Sequence, residues 1–297
     1  MAQAITPREI RRRIRSIRNT AQITRAMEMV SASKMRRAQQ AVLAARPYAD
    51  RIRLMLADLA AIADRADLLR SFPLLSRRPI RRVQVIMITS DRGLAGALNT
   101  NVIRRAVEFM THERPERLED FEIVAVGRKG RDWLVRYGWP MIAEFTKVGD
   151  RPSIEGIRPI AEIATQDFIE GKVDAVFVVY THFINTLRQE PRVMQLLPIE
   201  PPAEAHEITD YIFEPNPQAV LEALLPRFIE VQLYRALLEA VASEHSARMV
   251  AMRNATENAL ELVQELTLTY NKARQAQITR EVTEIAAGAN ALGSLGS

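Results

Sequence analysis

Apolar side chains recur at alternating intervals of four and three residues along the start of the chain. Ile10, Ile14, Ile17, Ala21 and Thr24 set the register, and it resumes at Met35, Ala38, Val42, Ala45, Ala49, Ile52, Leu56, Leu59, Ala63 and Ala66. Only Thr24, Glu28 and Ser31 are polar in that seam. Near the other end, Met249, Met252, Thr256, Ala259, Val263, Leu266, Tyr270 and Ala273 repeat the same spacing. A sustained 3.5-residue period makes a stripe that must supercoil against another helix. Two such seams at opposite ends of one chain satisfy each other by pairing antiparallel; the plainer alternative is two long helices laid on a large core. Glycine and proline agree with either. Neither occurs from Arg8 to Arg46, nor from Arg227 to Ala287. As one helix the second stretch spans about 90 Å. Pro47 falls inside the first helix and, lacking an N–H, is expected to kink or interrupt it.

The middle of the chain has another rhythm. Val83–Ile88, Phe121–Val126 and Val173–Tyr180 are short apolar runs, with helical patterns near Leu98–Met110, Lys129–Tyr137 and Ile154–Glu170 between them. Strands alternating with helices predict a mostly parallel sheet with crossover helices. Beyond Arg188 the chain reads as extended through "RVMQLLPI". The Pro-rich stretch at Glu200–Pro202 and the turn at Glu214–Pro217 then lead into the last helix. The fold class is therefore α/β: a long antiparallel coiled coil of the N- and C-terminal helices with a central Rossmann-like α/β domain. The expected divisions are residues 1–70 for the first helix, 75–205 for the α/β domain and 210–297 for the second helix.

Composition removes several function classes. There is no cysteine, so no disulfide and no thiolate metal site. His112, His182, His206 and His245 are scattered without ligand spacing, so no metal is expected. No apolar run approaches the roughly 18–20 residues of a membrane span, and no leader peptide is visible at the N-terminus. The net charge of +5 suits an acidic partner.

Two stretches carry candidate chemistry. "SDRGLAGALN" follows an apolar run and opens a helix, the order seen in many nucleotide-binding proteins. It offers only Gly93 and Gly96, short of G-x-G-x-x-G and of the P-loop. A helix N-terminus alone can hold an anion. Alternatively the glycines only permit a sharp turn, with Asp91 or Asn99 bonding nearby backbone. A nucleotide-dependent Rossmann-like enzyme with helical arms is the rival reading. The basic run "REIRRRIRSIR" places Arg8, Arg11, Arg12, Arg13, Arg15 and Arg18 off the Ile seam, either as a solvated face or as a positive collar for an acidic partner. Without interleaved aromatics or a leucine zipper it gives little support to nucleic-acid binding. In "AMEMVSASKMRRAQ", apolar atoms point to nearly every side of the helix, which implies enclosure by more than one partner helix.

The sequence resembles the gamma subunit of rotary ATP synthases. The resemblance rests on "IRRRIRSIRNTAQITRAMEMVSASKMRRAQ", on "ASEHSARMVAMRNATENALELVQELTLTYNKARQAQITREVTEIAAGANAL", and on the blocks "SDRGLAGALN" and "DYIFEP", together about half the chain. Ala95 stands where many relatives have Cys, and Ser31 where Ala is common. The absence of Cys means that the thiol regulation of plastid relatives is missing.

The resemblance implies a non-catalytic rotor, the central stalk of F1. Its coiled coil would stand inside a ring of alpha and beta subunits, with the stretch near Met27 and the tip "AAGANALGSLGS" enclosed. The α/β domain would sit outside, touching the epsilon subunit and the membrane c-ring; delta completes the F1 partners. Arg274 and Gln275 would engage a beta catch loop, and Met27 and Arg248 would lie near an acidic beta lever. Thr279, Glu281 and Glu284 match positions tied to coupling. All seven are expected on helix surfaces. No cofactor and no nucleic acid is implied. The expected location is peripheral, on the cytoplasmic face of a bacterial cell membrane.

Overall fold

The computed structural model describes residues 6–62, 72–111, 120–150, 152–200, 214 and 216–294. Ala63 and Ala66 of the first seam, the domain limits at 70, 205 and 210, and most of "DYIFEP" lie outside the described residues. The chain divides into two units, Ser31–Met249 and Met1–Val30 with Val250–Ser297. Helix α1 (Pro7–Ile62) and helix α5 (Pro217–Ser294) each contribute to both.

Thr6 starts α1 with a capping box: its backbone N–H donates to Glu9 Oε2 at 3.0 Å, and Glu9 N–H donates to its hydroxyl. Pro47 does not interrupt the helix. Its ring removes one bond, to the carbonyl of Leu43, but both residues are exposed, so water can take that carbonyl. The same holds for Pro226 and Glu222 in α5, which already begins at Pro217.

In the unit Ser31–Met249, five strands order as β3-β2-β1-β4-β5. β1 (Arg82–Ile88) is central, with β2 (Asp120–Val126) and β4 (Ala175–Phe183) parallel on its two sides. β3 (Met141–Phe145) extends the parallel run beyond β2, while β5 (Gln189–Leu197) returns antiparallel to β4. β1 is buried at every position after Arg82 because both faces are covered, which is why it reads as a near-continuous apolar run. On one face, α2 (Leu98–Thr111) and α3 (Arg128–Tyr137) set Val102, Ala106, Phe109 and Leu134 against Val83, Val85 and Met87. On the other, α4 (Ile154–Ile169) and α5 set Ile157, Ala164, Phe168, Leu225 and Ile229 against Ile86, Val176 and Val178. β3 was not expected from the sequence. It is a short edge strand whose five residues alternate partly buried and exposed, and its apolar residues make too brief a run, broken by Glu144, to stand out.

The coil is antiparallel within each unit taken by itself. In the unit of the chain ends, Arg11 lies over the Tyr270 ring, the hydroxyls of Thr24 and Thr256 are 2.7 Å apart, and Glu28 accepts from Arg253 at 2.9 Å. As α1 advances, its partner position on α5 retreats. In the unit Ser31–Met249, Ala38 packs on Val241 and Ala242, then Ala49 and Ile52 pack on Val231 and Phe228. Among described side chains, the first seam is buried at Ile10, Ile14, Ala21, Thr24, Ser31, Met35, Ala38, Val42, Ala49, Ile52 and Leu56.

Candidate coupling surface

In the unit formed by the chain ends, the seam closes at Ile10, Ile14 and Val263, with Leu266, Tyr270 and Ala273 beside them. It stops there because α1 begins at Pro7. From Arg274 to Ala287 every residue of α5 is exposed. Arg274, Gln275, Thr279, Glu281 and Glu284 therefore all stand in the open on one helix. So do Ile278, Val282 and Ile285, which are 50%, 60% and 72% exposed at i, i+4 and i+7. That spacing is an apolar stripe with no partner among the described residues. The small-residue tip from Gly288 onward lies outside the described side chains.

The apolar stretch around Met27 is likewise not enclosed by the described residues. Met27 is half-buried, but Ile23, Met29 and Val30 are 60%, 62% and 54% exposed. All six arginines of the basic run are exposed, and Arg11 covers Tyr270.

Arg248 departs from the expectation of a helix-surface residue. It is 7% exposed. Its Nη2 donates to the Gly93 carbonyl at 3.2 Å and to Glu244 Oε1 at 2.6 Å. Sequence spacing placed it on α5 but could not show that the turn after β1 folds back onto it.

That turn is built as the structural reading expected. Asn99 Oδ1 accepts from Ser90 N–H at 2.9 Å, and Asp91 Oδ1 accepts from Arg128 N–H at 3.0 Å. Gly96 is left-handed at φ 57, whereas Gly93 is not; Leu94 takes φ 65 instead. In an open α/β sheet a ligand binds beyond the strand C-termini where the order reverses. Here that place lies beyond β1 and β4. Leu237, Ala240, Val241 and Glu244 of α5 fill it against Ile88, Ser90, Leu98 and Thr181, leaving about 20 Å³. The crevice that a nucleotide would need is occupied by the chain's own helix.

Charges cluster at the same end of the sheet. Asp150 bridges Lys34 Nζ at 2.5 Å, and its other oxygen lies 3.2 Å from His245 Nε2 without a hydrogen bond. Burial is the main cause that pushes His245 down to about 4, and Arg248 adds to it. Burial also raises Glu244, against the opposing pull of Arg248. His245 is accordingly neutral at pH 7.

No group of His, Asp or Glu among the described residues is arranged to hold a metal ion. No described helix is long and apolar enough to cross a membrane. A two-helix antiparallel coil with exposed apolar side chains and a separate α/β sheet define the class: a coiled-coil protein with an α/β domain.

The comparisons with known proteins name the family. The family model described as ATP synthase matches residues 6–292. ATP synthase gamma chains of Roseiflexus castenholzii and Chloroflexus aurantiacus are 56% and 52% identical, covering 97% of this chain and 99% of each relative. Among solved structures, a Tetrahymena thermophila mitochondrial ATP synthase central stalk and c-ring gives a TM-score of 0.56 at 25% identity, covering 78% of this chain and 99% of that one. A Euglena gracilis mitochondrial ATP synthase rotor gives 0.63 at 21% identity over 92% and 98%, a likeness of fold. The chain belongs to the ATP synthase gamma chain family, non-catalytic subunits of the membrane-associated F1 complex.

Proposed function

We propose that this chain is the rotor of an ATP synthase, turning inside a ring of alpha and beta subunits and passing ion-driven rotation to the catalytic sites on that ring. The observation that carries it is the apolar surface left uncovered on the coil: Ile278, Val282 and Ile285 on α5, and Met29 and Val30 on α1. Apolar contacts lack the discrete partners that pin one angle, so such a surface suits a bearing. A bent shaft cannot touch three beta subunits alike, and a partner shifts an equilibrium only by its differential interaction with the two states. Rotation therefore favours a different conformation at each site in turn, and the coupling is reciprocal.

In this reading Arg274 and Gln275 meet a catch loop of beta, Met27 lies near an acidic beta lever, and Thr279, Glu281 and Glu284 form the remaining coupling contacts. Arg248 reaches that lever only if it exchanges its bonds to Gly93 and Glu244. The α/β domain, within residues 75–205, faces epsilon and the c-ring; the helices of residues 1–70 and 210–297 form the shaft. The complex lies on the cytoplasmic face of a bacterial membrane.

Co-expression with the alpha and beta subunits of the same organism tests the reading. A stable complex of the three with ATPase activity is expected. Recovery of the chain alone, free of both, under conditions where alpha and beta assemble, would overturn it.

A further inference from the structure

Between Arg235 and Arg248, α5 turns a buried polar face towards the α/β domain. Glu239 is 3% exposed, Ser243 and Ser246 0%, and His245 1%. Glu239 lies 2.5 Å from His182 Nδ1 on β4 and is held from its own helix by Arg235. The Ser243 hydroxyl donates to the Thr181 carbonyl at 3.2 Å. Thr181 stands opposite Pro191 on β5, which has no N–H to offer that carbonyl. The Ser246 hydroxyl donates to the Thr186 carbonyl at 2.7 Å and accepts from Gln189. With Arg248 on Gly93, four residues of one helix stretch bond to the sheet end, the β4–β5 turn and the turn after β1.

The neighbouring face of the same stretch is apolar, with Val241 and Ala242 on Ala38. The two faces respond differently to twist. Apolar packing depends on area removed from water and has no preferred direction. Hydrogen bonds weaken steeply off their axis, and a buried group left without its partner is costly. A small rotation of α5 about its own axis would break several of these bonds together.

We propose that this polar face is a torsional key, in which Glu239, Ser243 and Ser246 fix the rotational setting of α5 against the α/β domain so that a turn of the domain passes into the helix without slip. The proposal rests on the reading of the chain as a rotor. Groups that only stabilised the fold would show the same bonds, so the readout must be angular.

The chain has no cysteine, so Val135→Cys, at a position 65% exposed on α3, gives a single attachment point for a bead. In the assembled enzyme, the angle of the bead is recorded without ATP. Ser243→Ala with Ser246→Ala removes two of the four contacts with little change of volume. If the contacts share the load as parallel springs, the variance of the stalled angle rises about 2-fold. His182→Leu, which removes the β4 partner of Glu239 at a partly exposed position, is expected to widen it as well. Val102→Ala, in the core on the opposite face of the sheet, is expected to lower the melting temperature without widening the distribution. Wild-type variance in both key variants, or equal widening by Val102→Ala, overturns the proposal. The stalled angle is read separately from ATP-driven rotation of the wild type, and it is that rotation which tests the rotor reading.

Discussion

Replacing Arg248 with Met leaves Glu244 buried without its cation. The guanidinium is 9% exposed and the Glu244 side chain 16%, so solvent screens the pair only in part. Breaking a buried pair from one side costs about 3–5 kcal/mol, and the residual exposure of Glu244 brings this to about 2–4 kcal/mol. The Gly93 carbonyl loses its donor in the same change. For a unit of this size the loss is a fall of roughly 5–15 °C in melting temperature. The pH dependence carries the diagnosis. Burial already raises Glu244, and Arg248 is what holds it down. Without Arg248 the native state takes up a proton at Glu244 more readily than the unfolded chain does. The deficit is therefore full above the raised native value and shrinks as pH falls towards the ordinary carboxylate range. His245, relieved of the same cation, also accepts a proton more easily, which narrows the deficit in the same direction. Thermal melts of both proteins at pH 8 and pH 5 are the assay, with Glu244→Gln added to the Arg248→Met background as a rescue. A deficit of equal size at both pH values, with no rescue, would refute the buried-pair argument.

His245 sets a second pH dependence: burial holds its native value at about 4, below the 6.5 of an ordinary histidine, so stability is full above 6.5 and falls as pH drops from there towards 4. Urea titrations of the wild type and His245→Gln between pH 7 and 4.5 should show the slope only in the wild type. Gly127→Ala places a Cβ 2.0 Å from the Thr89 carbonyl oxygen at φ 93 and should cost more than about 4 kcal/mol. Gly96→Ala, at φ 57 in open space, should cost about 1–2 kcal/mol, and Gly93→Ala, not left-handed and 3.7 Å from a lysine methylene, should be near neutral in the same denaturation assay. If Met27 faces an acidic beta lever as proposed, Met27→Lys adds a cation there, a charge-assisted bond worth about 1–3 kcal/mol at some angles and not others. Proton pumping per ATP should fall while hydrolysis holds; a strictly proportional fall of both would show damaged turnover instead.

The seams were legible because a 3.5-residue period has one structural consequence, and the buried positions from Ile10 to Leu56 fall on that register. The central strands were legible for the same kind of reason: both faces of β1 are covered, so its composition cannot mimic a surface helix. β3 was missed because an edge strand has no such demand on its residues. Interruption at Pro47, one of the two expected outcomes, did not occur, because that depends on whether water reaches the carbonyl of Leu43, which spacing does not show. Arg248 misled more instructively. Its position on α5 was readable, but its burial depends on the turn at Gly93, which lies far away in sequence and bonds to it only in the folded chain. The polar face at Glu239, Ser243 and Ser246 was hidden likewise, since each partner is a carbonyl or a histidine contributed by another segment.

The central claim is that this chain passes rotation between its α/β domain and a catalytic ring through surface contacts, with no chemistry of its own. A bead fixed at Val135→Cys, on the chain assembled with alpha and beta subunits immobilised on glass, tests it directly. The account predicts sustained rotation in one direction on addition of ATP, ceasing when ATP is exhausted. A ring that hydrolyses ATP with the chain bound, while the bead shows only undirected fluctuation, would contradict it.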